Sequence, residues 1–549
     1  MANKRKRDNA PESEPVEKTE QQSTKKVKAP APTKAARASS NSSTSATPFK
    51  VGSTSPITIQ VVAGSYDRVL HGITATVTPT TTTTTTATPS KNNKKKAAAA
   101  AAESKTSYKV SFADTFLFNA HASAIRCLAL SPPSAPTPGQ KGGQKVLLAT
   151  GATDERINIY NISAHPPSAK AADDQKLLNS ITPRPVLENP KNRELGTLLH
   201  HSSNITRLVF PNRSKLLSAS EDSTVAVTRV RDWALLHTFK CPIPKAQGRP
   251  SGDTAALGAV PAGVNDFAVH PSNKIMISVS KGERSMRLWN LETGKKSRVL
   301  NFPKDVLMEI GEGKHSTGEA RRIVWGEDEF AVTFDRDVLV FGMDCRPRCR
   351  VMREDVVGTK MTKVHEIKYV SLGKEEGQEE EKHVLAVATE DGRILFFDTA
   401  ESELVEPPAP KEEEEQQQHK TKLFEAKTPN AKLVAQLGGK TAGVSGRIKD
   451  FTILPVEVEE SGKRSWFVAS AGSDGRIRIW RLESGDLRVG KEEGVKAGRQ
   501  VGELLGTYET ENRITCLGAF VMIPRPEGSV ESEYEFDSEE SEDEESDDE

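Results

Sequence analysis

The chain has 549 residues, 76 Lys plus Arg against 76 Asp plus Glu, and five cysteines. Five cysteines make no disulfide framework, and no stretch reaches the ~18 apolar residues of a membrane span, so membrane and secreted roles are excluded and a reducing compartment is expected. The zero net charge would also exclude polyanion partners if it were evenly spread, and it is not: residues 1–50 hold 11 Lys/Arg and 5 Asp/Glu, residues 91–109 hold 6 Lys and 1 Glu, and residues 531–549 hold 13 acidic residues and no basic one.

Residues 1–55 are rich in Ser, Thr, Pro and Ala and are expected to be a disordered basic tail. Two clusters, Lys4, Arg5, Lys6, Arg7 and Lys25, Lys26, Lys28, read as nuclear import signals or nucleic-acid patches. The opposing reading is a solubilising tail. No apolar run follows the first cluster, so no secretory signal is expected.

From residue 57 onward one pattern recurs. Small and β-branched residues lead to an acidic residue, and an aromatic residue or its stand-in follows six positions later. The pairs are Asp67/Ile73, Asp154/Tyr160, Asp222/Thr228, Glu283/Trp289, Asp335/Phe341, Asp391/Phe397 and Asp474/Trp480. The acids read as hairpin turn residues. Asp391-Gly392 and Asp474-Gly475 are the strongest turn dipeptides, because glycine accepts positive φ. Upstream of the hairpins lies a further strand with two apolar positions three apart. These are Ile125/Leu128, Ile205/Leu208, Val264/Phe267, Ala320/Ile323, Val364/Ile367, Ile448/Phe451 and Ile514/Leu517. A fourth strand follows each hairpin: Ser107–Ala120, Leu195–Leu199, Ala234–Phe239, Lys296–Phe302, Arg348–Arg353, Lys432–Leu437 and Val501–Tyr508.

Four strands per unit, here named a to d, resemble the WD-repeat propeller. The fold class predicted is all-β, a seven-bladed WD40-type β-propeller over residues 56–524. The acids are spaced wider than the ~40–45 residues of such repeats. Low-complexity inserts near 79–106, 163–193, 241–262, 371–382, 405–431 and 484–499 account for the excess and are expected to be disordered. No copy carries the Trp-Asp dipeptide; Asn161, Asn290, Asp398 and Arg481 stand in the second position. A histidine able to bond the turn acid precedes strand a in two blades only, as His121 and His201. The N-terminal end supplies strands b to d of one blade, and Arg513–Met522 supplies a lone a-strand. Joining the two completes the ring and leaves no open edge.

Residues 525–549 form the acidic tail, expected to stay extended. Ser532, Ser541 and Ser546 each have Glu three residues on, which suits acid-directed kinases.

No catalytic, cofactor-binding or metal-ligating set is expected. Gly311–Thr317 superficially suggests a phosphate loop, but Met308 stands where its first Gly is required and His315 where Ser or Thr is required. Cys345 and Cys349 lack a second ligand pair at zinc spacing. Charged residues recur two positions into strand a, as Arg207, Asp266, Arg322, Glu366 and Asp450. Ion pairs between blades are expected there, because unpaired charges near the centre would be costly.

Val61–Asp67 (VVAGSYD) resembles the opening motif of the p21-activated-kinase-interacting protein family, whose fungal members are the maintenance-of-killer proteins. Glu194–His201 with Ile205-Thr206, Val264–Leu291 with His270-Pro271-Ser272, and Arg513–Gly518 are similar to its third, fourth and closing segments. The resemblance implies a non-catalytic nucleolar scaffold for assembly of the large (60S) ribosomal subunit, docking proteins of pre-60S particles in the neighbourhood of RNA. It also implies an alternative, an adaptor that binds and inhibits a p21-activated kinase. A third reading, from the residues alone, is another nuclear WD-repeat platform. None involves a membrane.

Overall fold

The computed structural model describes residues 49–52, 55–82, 105–135, 143–166, 186–187, 189, 191–243, 262–313, 316–352, 362–374, 381–406, 428–458, 464–488 and 498–525. Seven antiparallel sheets are formed by these residues, each built on four strands in the order a-b-c-d. Blade 2 is Ile125–Leu130, Lys145–Ala152, Ile157–Ser163 and Arg193–Leu198. Blade 3 is Ile205–Asn212, Lys215–Ser220, Thr224–Arg229 and Leu235–Lys240. Blade 4 is Val264–Val269, Ile275–Ser280, Ser285–Asn290 and Lys295–Asn301. Blade 5 is Arg322–Trp325, Glu329–Thr333, Val338–Gly342 and Pro347–Arg350. Blade 6 is Val364–Lys374, Glu381–Thr389, Arg393–Asp398 and Lys432–Gly438. Blade 7 is Ile448–Val458, Arg464–Gly472, Arg476–Glu483 and Glu503–Glu509.

Blade 1 joins both ends of the ring. Its strand a is Ile514–Val521, and strands b to d are Ile57–Ser65, Val69–Thr82 and Lys105–Asn119. Ile59 pairs with Val521 and Gly64 with Cys516, so the last strand closes against the first complete one. The result is a seven-bladed β-propeller. Seven buried apolar clusters fill the seams. Val61, Ile73, Phe467 and Ile514 pack between blades 7 and 1, while Phe302, Phe330, Phe334 and Phe341 pack between blades 4 and 5. Each sheet therefore buries both faces, which explains strands such as Val384-Leu385-Ala386-Val387-Ala388 that are apolar without alternation.

Several boundaries differ from those read in the sequence. Phe49–Val51, assigned to the tail, forms a strand parallel to Val456–Val458. The insert placed from residue 79 begins later, because Thr80, Thr81 and Thr82 pair with Ser107, Thr106 and Lys105. Threonine is β-branched, so a run of it extends a strand as readily as it fills a loop. Likewise Gly373 and Lys374 pair with Lys382 and Glu381 inside the expected 371–382 insert. Arg499–Gln500 adds an outer strand to blade 6, parallel to Ala435–Gln436. A short helix, Lys304–Glu309, follows Pro303 and buries Val306 and Leu307 in the seam of blades 4 and 5. Six residues carry too little periodicity to be found beforehand. The import clusters, the three tail serines and the interiors of the inserts lie outside the described residues.

Candidate functional site

All bc turns and da connections lie at one end of the ring, the turn face. The ab and cd connections lie at the other. Each turn acid is held by what its blade supplies.

In blade 2, His121 Nδ1 lies 3.1 Å from Asp154 Oδ2, and its Nε2 lies 2.9 Å from Thr150 Oγ1. In blade 3, His201 Nδ1 lies 3.0 Å from Asp222 Oδ2, and Nε2 lies 2.8 Å from Ser218 Oγ. Burial alone would raise the Asp222 carboxyl, but hydrogen bonds from His201 and Thr224 hold it at about 2. In blade 4 the acid is Glu283, bonded by Arg287 at 2.5 Å, and Trp289 Nε1 donates to Ser278 Oγ at 2.8 Å. Blade 7 repeats this, with Arg478 on Asp474 at 2.7 Å and Trp480 Nε1 donating to Ser470 Oγ at 3.1 Å. In blade 6, Arg393 and Thr389 hold Asp391. Asp67 of blade 1 is exposed and accepts the N–H of Arg513 at 3.2 Å.

Blade 5 divides the role. Asp335 is half-buried and takes Arg321 at 2.9 Å. The buried carboxylate of this turn is Asp337, which accepts the N–H of Met352 at 3.0 Å and pairs with Arg350. Burial pushes it up to about 6. Asp337 was missed because the six-residue spacing selects Asp335.

Backbone geometry explains the turn residues. The position after the acid has positive φ at Arg68, Glu155, Ser223, Gly392 and Gly475. A Cβ at Gly475 would stand 2.8 Å from the Asn512 carbonyl oxygen, so glycine is required there by contact as well as by φ.

Two residues after the first apolar position of each a-strand motif, blades 1 to 7 carry Cys516, Cys127, Arg207, Asp266, Arg322, Glu366 and Asp450. The two cysteines are buried in the seams of blades 1 and 2 and of blades 2 and 3, and the five charged residues form ion pairs between blades around a central channel. Arg207 pairs with neighbouring Asp266 at 3.3 Å, and also reaches from blade 3 to Glu366 of blade 6 at 3.3 Å. Arg322 lies 3.6 Å from Glu366, and Lys368 lies 3.6 Å from Asp450. Three cations thus meet three carboxylates. The reach across the channel and the part played by Lys368 were not legible, because sequence spacing gives neighbours around the ring and no chord through it. Burial disfavours the Glu366 charge, yet Arg207 and Arg322 hold its pKa below the usual range. Asp266 and Asp450 are raised, chiefly by burial. Both also tie blades together: Asp266 accepts the N–H of Ile323 at 3.0 Å, and Asp450 that of Leu517 at 2.9 Å.

The remaining candidates carry no reactive geometry. Around Gly311–Thr317, Arg284 donates to the carbonyls of Thr317 at 3.0 Å and Ser316 at 2.8 Å, so the described part of this segment presents oxygen to a cation. Burial pushes the Cys127 thiol up to about 12 and raises Cys516 and Cys349 as well, which leaves them poor nucleophiles. A cleft of about 210 Å³ between blades 1 and 2 is lined by Leu70, Phe116, Phe118, Tyr160 and Asn161 among others. Among the described residues no cluster of three or more His, Cys, Asp or Glu is placed to hold a metal ion, and no helix is long and apolar enough to cross a membrane.

A closed ring of seven four-stranded blades, with turn acids held by His or Arg, defines the class: this is a seven-bladed WD-repeat β-propeller. Residues 192–227, from strand d of blade 2 through strand c of blade 3, match the family described as WD domain, G-beta repeat. The chain is similar to Protein MAK11 of Saccharomyces cerevisiae, 28% identical over 423 residues, 74% of each chain. It is also similar to the p21-activated protein kinase-interacting protein 1-like proteins of Xenopus laevis and Danio rerio. Identities are 22% and 21%, covering 75% and 73% of this chain and 76% and 72% of the relatives. The proteins it is similar to are of the kind its opening and third-blade motifs resemble, the p21-activated-kinase-interacting and maintenance-of-killer proteins.

Proposed function

We propose that this protein is a non-catalytic protein–protein scaffold in biogenesis of the large (60S) ribosomal subunit, acting in the nucleolus. The observation that carries the reading is the similarity to MAK11 over three quarters of both chains. The ring supports it physically. Its buried polar groups tie blades together, and its rigid rim offers several surfaces at once. The basic segments before residue 110 suit nuclear import and work near RNA. The acidic tail suits basic ribosomal proteins.

Sedimentation of nuclear extract through a sucrose gradient tests this. The protein is expected to travel with pre-60S particles, and recovery only in the light fractions would overturn the reading. A second reading rests on the relatives named as p21-activated protein kinase-interacting. It makes this chain a kinase adaptor and requires the light-fraction outcome together with recovery of a p21-activated kinase.

A further inference from the structure

One residue nearer the turn face than the channel ring, strand a presents Thr515, Arg126, Thr206, Asn265, Arg321, His365 and Lys449 in blades 1 to 7. Thr515, Thr206 and Asn265 are used up between blades, donating to the carbonyls of Ile125, Val264 and Ala320 at 2.6, 2.8 and 2.9 Å. Arg321 is held by Asp335, and Arg447, just before strand a of blade 7, by Glu390 at 3.1 Å. Three cations are not so used. Arg126, Lys449 and Arg513 have no carboxylate within ion-pair distance among the described residues. Arg126 and Arg513 are exposed. Arg513 lies over the Tyr66 ring, 5.7 Å from its centroid, and Tyr66 is 60% exposed.

These groups share one part of the rim. The Asp450 bond to Leu517 fixes strand a of blade 7 against that of blade 1, and the Thr515 bond to Ile125 fixes blade 1 against blade 2. Lys449 is depressed by burial and then by Arg447 and Arg513, with Glu390 acting the other way, so Lys449 and Arg513 are neighbours. His365 of blade 6 is lowered to about 4 by burial and then by Lys449. Cations brought this close without a partner repel one another, and a bound anion relieves that repulsion. The ring beneath is different, since its three cations and three carboxylates already satisfy each other. Of the acids nearby, Asp67 accepts the Arg513 N–H and Glu390 holds Arg447.

We propose that this mouth, where blades 6, 7, 1 and 2 meet on the turn face, binds an extended acidic peptide segment of a partner protein. Arg126 and Arg513 would take carboxylates, Lys449 would supply a point charge on the far side of Arg513 from Arg126, and Tyr66 would cover the apolar part of the segment. A single-stranded nucleic acid fits less well, because it uses a series of aromatic platforms along a basic stripe and this mouth offers one exposed ring. The inference stands apart from the ribosomal reading and survives its failure.

The test is fluorescence anisotropy on the full chain with a labelled twelve-residue Asp/Glu peptide, a neutral peptide of equal length and a labelled oligouridine. The acidic peptide is expected to bind, and to weaken at least tenfold when Arg126 and Arg513 are both changed to Glu. Lys449→Gln alone should weaken it about threefold. Lys295→Glu on the outer edge of blade 4 should leave it unchanged. Thermal melting checks that each variant is folded. Oligouridine binding tighter than the peptide, with loss in the same variants, would make this a nucleic-acid surface and overturn the proposal. So would peptide binding indifferent to the double change, or no binding. A last arm neutralises residues 531–549 by Asp→Asn and Glu→Gln. A tenfold gain in peptide affinity there would make the chain's own tail the occupant, and would also overturn a partner in trans.

Discussion

Blades 2 and 3 hold their turn acids by one half of a network, and blades 4 and 7 by the other. In the first pair, a histidine from the da connection bonds the acid and also a hydroxyl on strand b, Thr150 or Ser218. In the second pair, the strand b hydroxyl, Ser278 or Ser470, receives a tryptophan N–H from strand c, and an arginine four residues after the acid takes the carboxylate. The first arrangement reaches from before strand a to the bc turn, so it ties the entry of the blade to its central hairpin. The second stays within one hairpin. A histidine tie therefore fixes tertiary structure and can titrate, whereas an arginine tie fixes only its own turn and keeps its charge. Blade 1 has neither, and its turn is exposed. It is held by closure instead.

That contrast fails first if closure matters less than the ties. Ending the chain at residue 510 removes strand a of blade 1, and with it buried Ile514, Leu517 and Met522. At ~1.5–3 kcal/mol for each large side chain, and with the ladder to Ile57–Ser65 lost as well, the cost is comparable to the whole ~5–15 kcal/mol stability of a domain. The expected outcome by calorimetry is loss of the cooperative transition. A soluble truncation that still melts in one sharp step would show that the blades stand without the ring.

The ties themselves are compared by paired substitutions in urea at pH 7. His201→Leu takes the imidazole from Asp222, which keeps its bonds from Thr224 and Ser202, and from the buried Ser218 hydroxyl, and is expected to cost about 2–3 kcal/mol. Arg478→Met leaves Asp474 with its turn N–H bond from Arg476 and with some access to water, and should cost about 1–2 kcal/mol. Equal costs would mean that tying in the entry of the blade adds nothing.

Much of this architecture was legible because the repeat has a local cause. The acid-to-aromatic spacing marks a hairpin, and strand periodicity marks its neighbours, so all seven blades and the join of the two ends could be placed from residues alone. The two histidine ties were readable for the same reason, since His121 and His201 precede strands a. What escaped depends on chain returning from a distance. Arg207 meets Glu366 only because the ring curves. Lys368 serves Asp450 from the neighbouring blade. Asp337 replaces Asp335 inside because Arg350 waits on strand d. The added strands Phe49–Val51 and Arg499–Gln500 are too short to carry a pattern. The cationic mouth was invisible for a further reason: it consists of cations without partners, and only packing decides which charges are already satisfied.

The smallest expected effect separates the two kinds of tie by pH. The His121 pKa lies below its ordinary value because burial disfavours the imidazolium more than Asp154 favours it. A histidine lowered in the fold contributes stability that is complete above about pH 6.5 and fades as the pH falls toward its folded value. Asp222 behaves as a depressed carboxylate, stabilising above about pH 4 and losing that contribution only as the pH falls through about 2. Between pH 7 and 5.5 the tie of blade 2 is therefore sensitive. Ala122 and Arg156 donate their N–H groups to Asp154, and Arg476 donates its own to Asp474. Hydrogen exchange, corrected for its intrinsic pH dependence, should show protection at Ala122 and Arg156 falling roughly twofold, about 0.5 kcal/mol, while Arg476 holds. A matching fall at Arg476 would erase the distinction, because the guanidinium of Arg478 keeps its charge throughout that range.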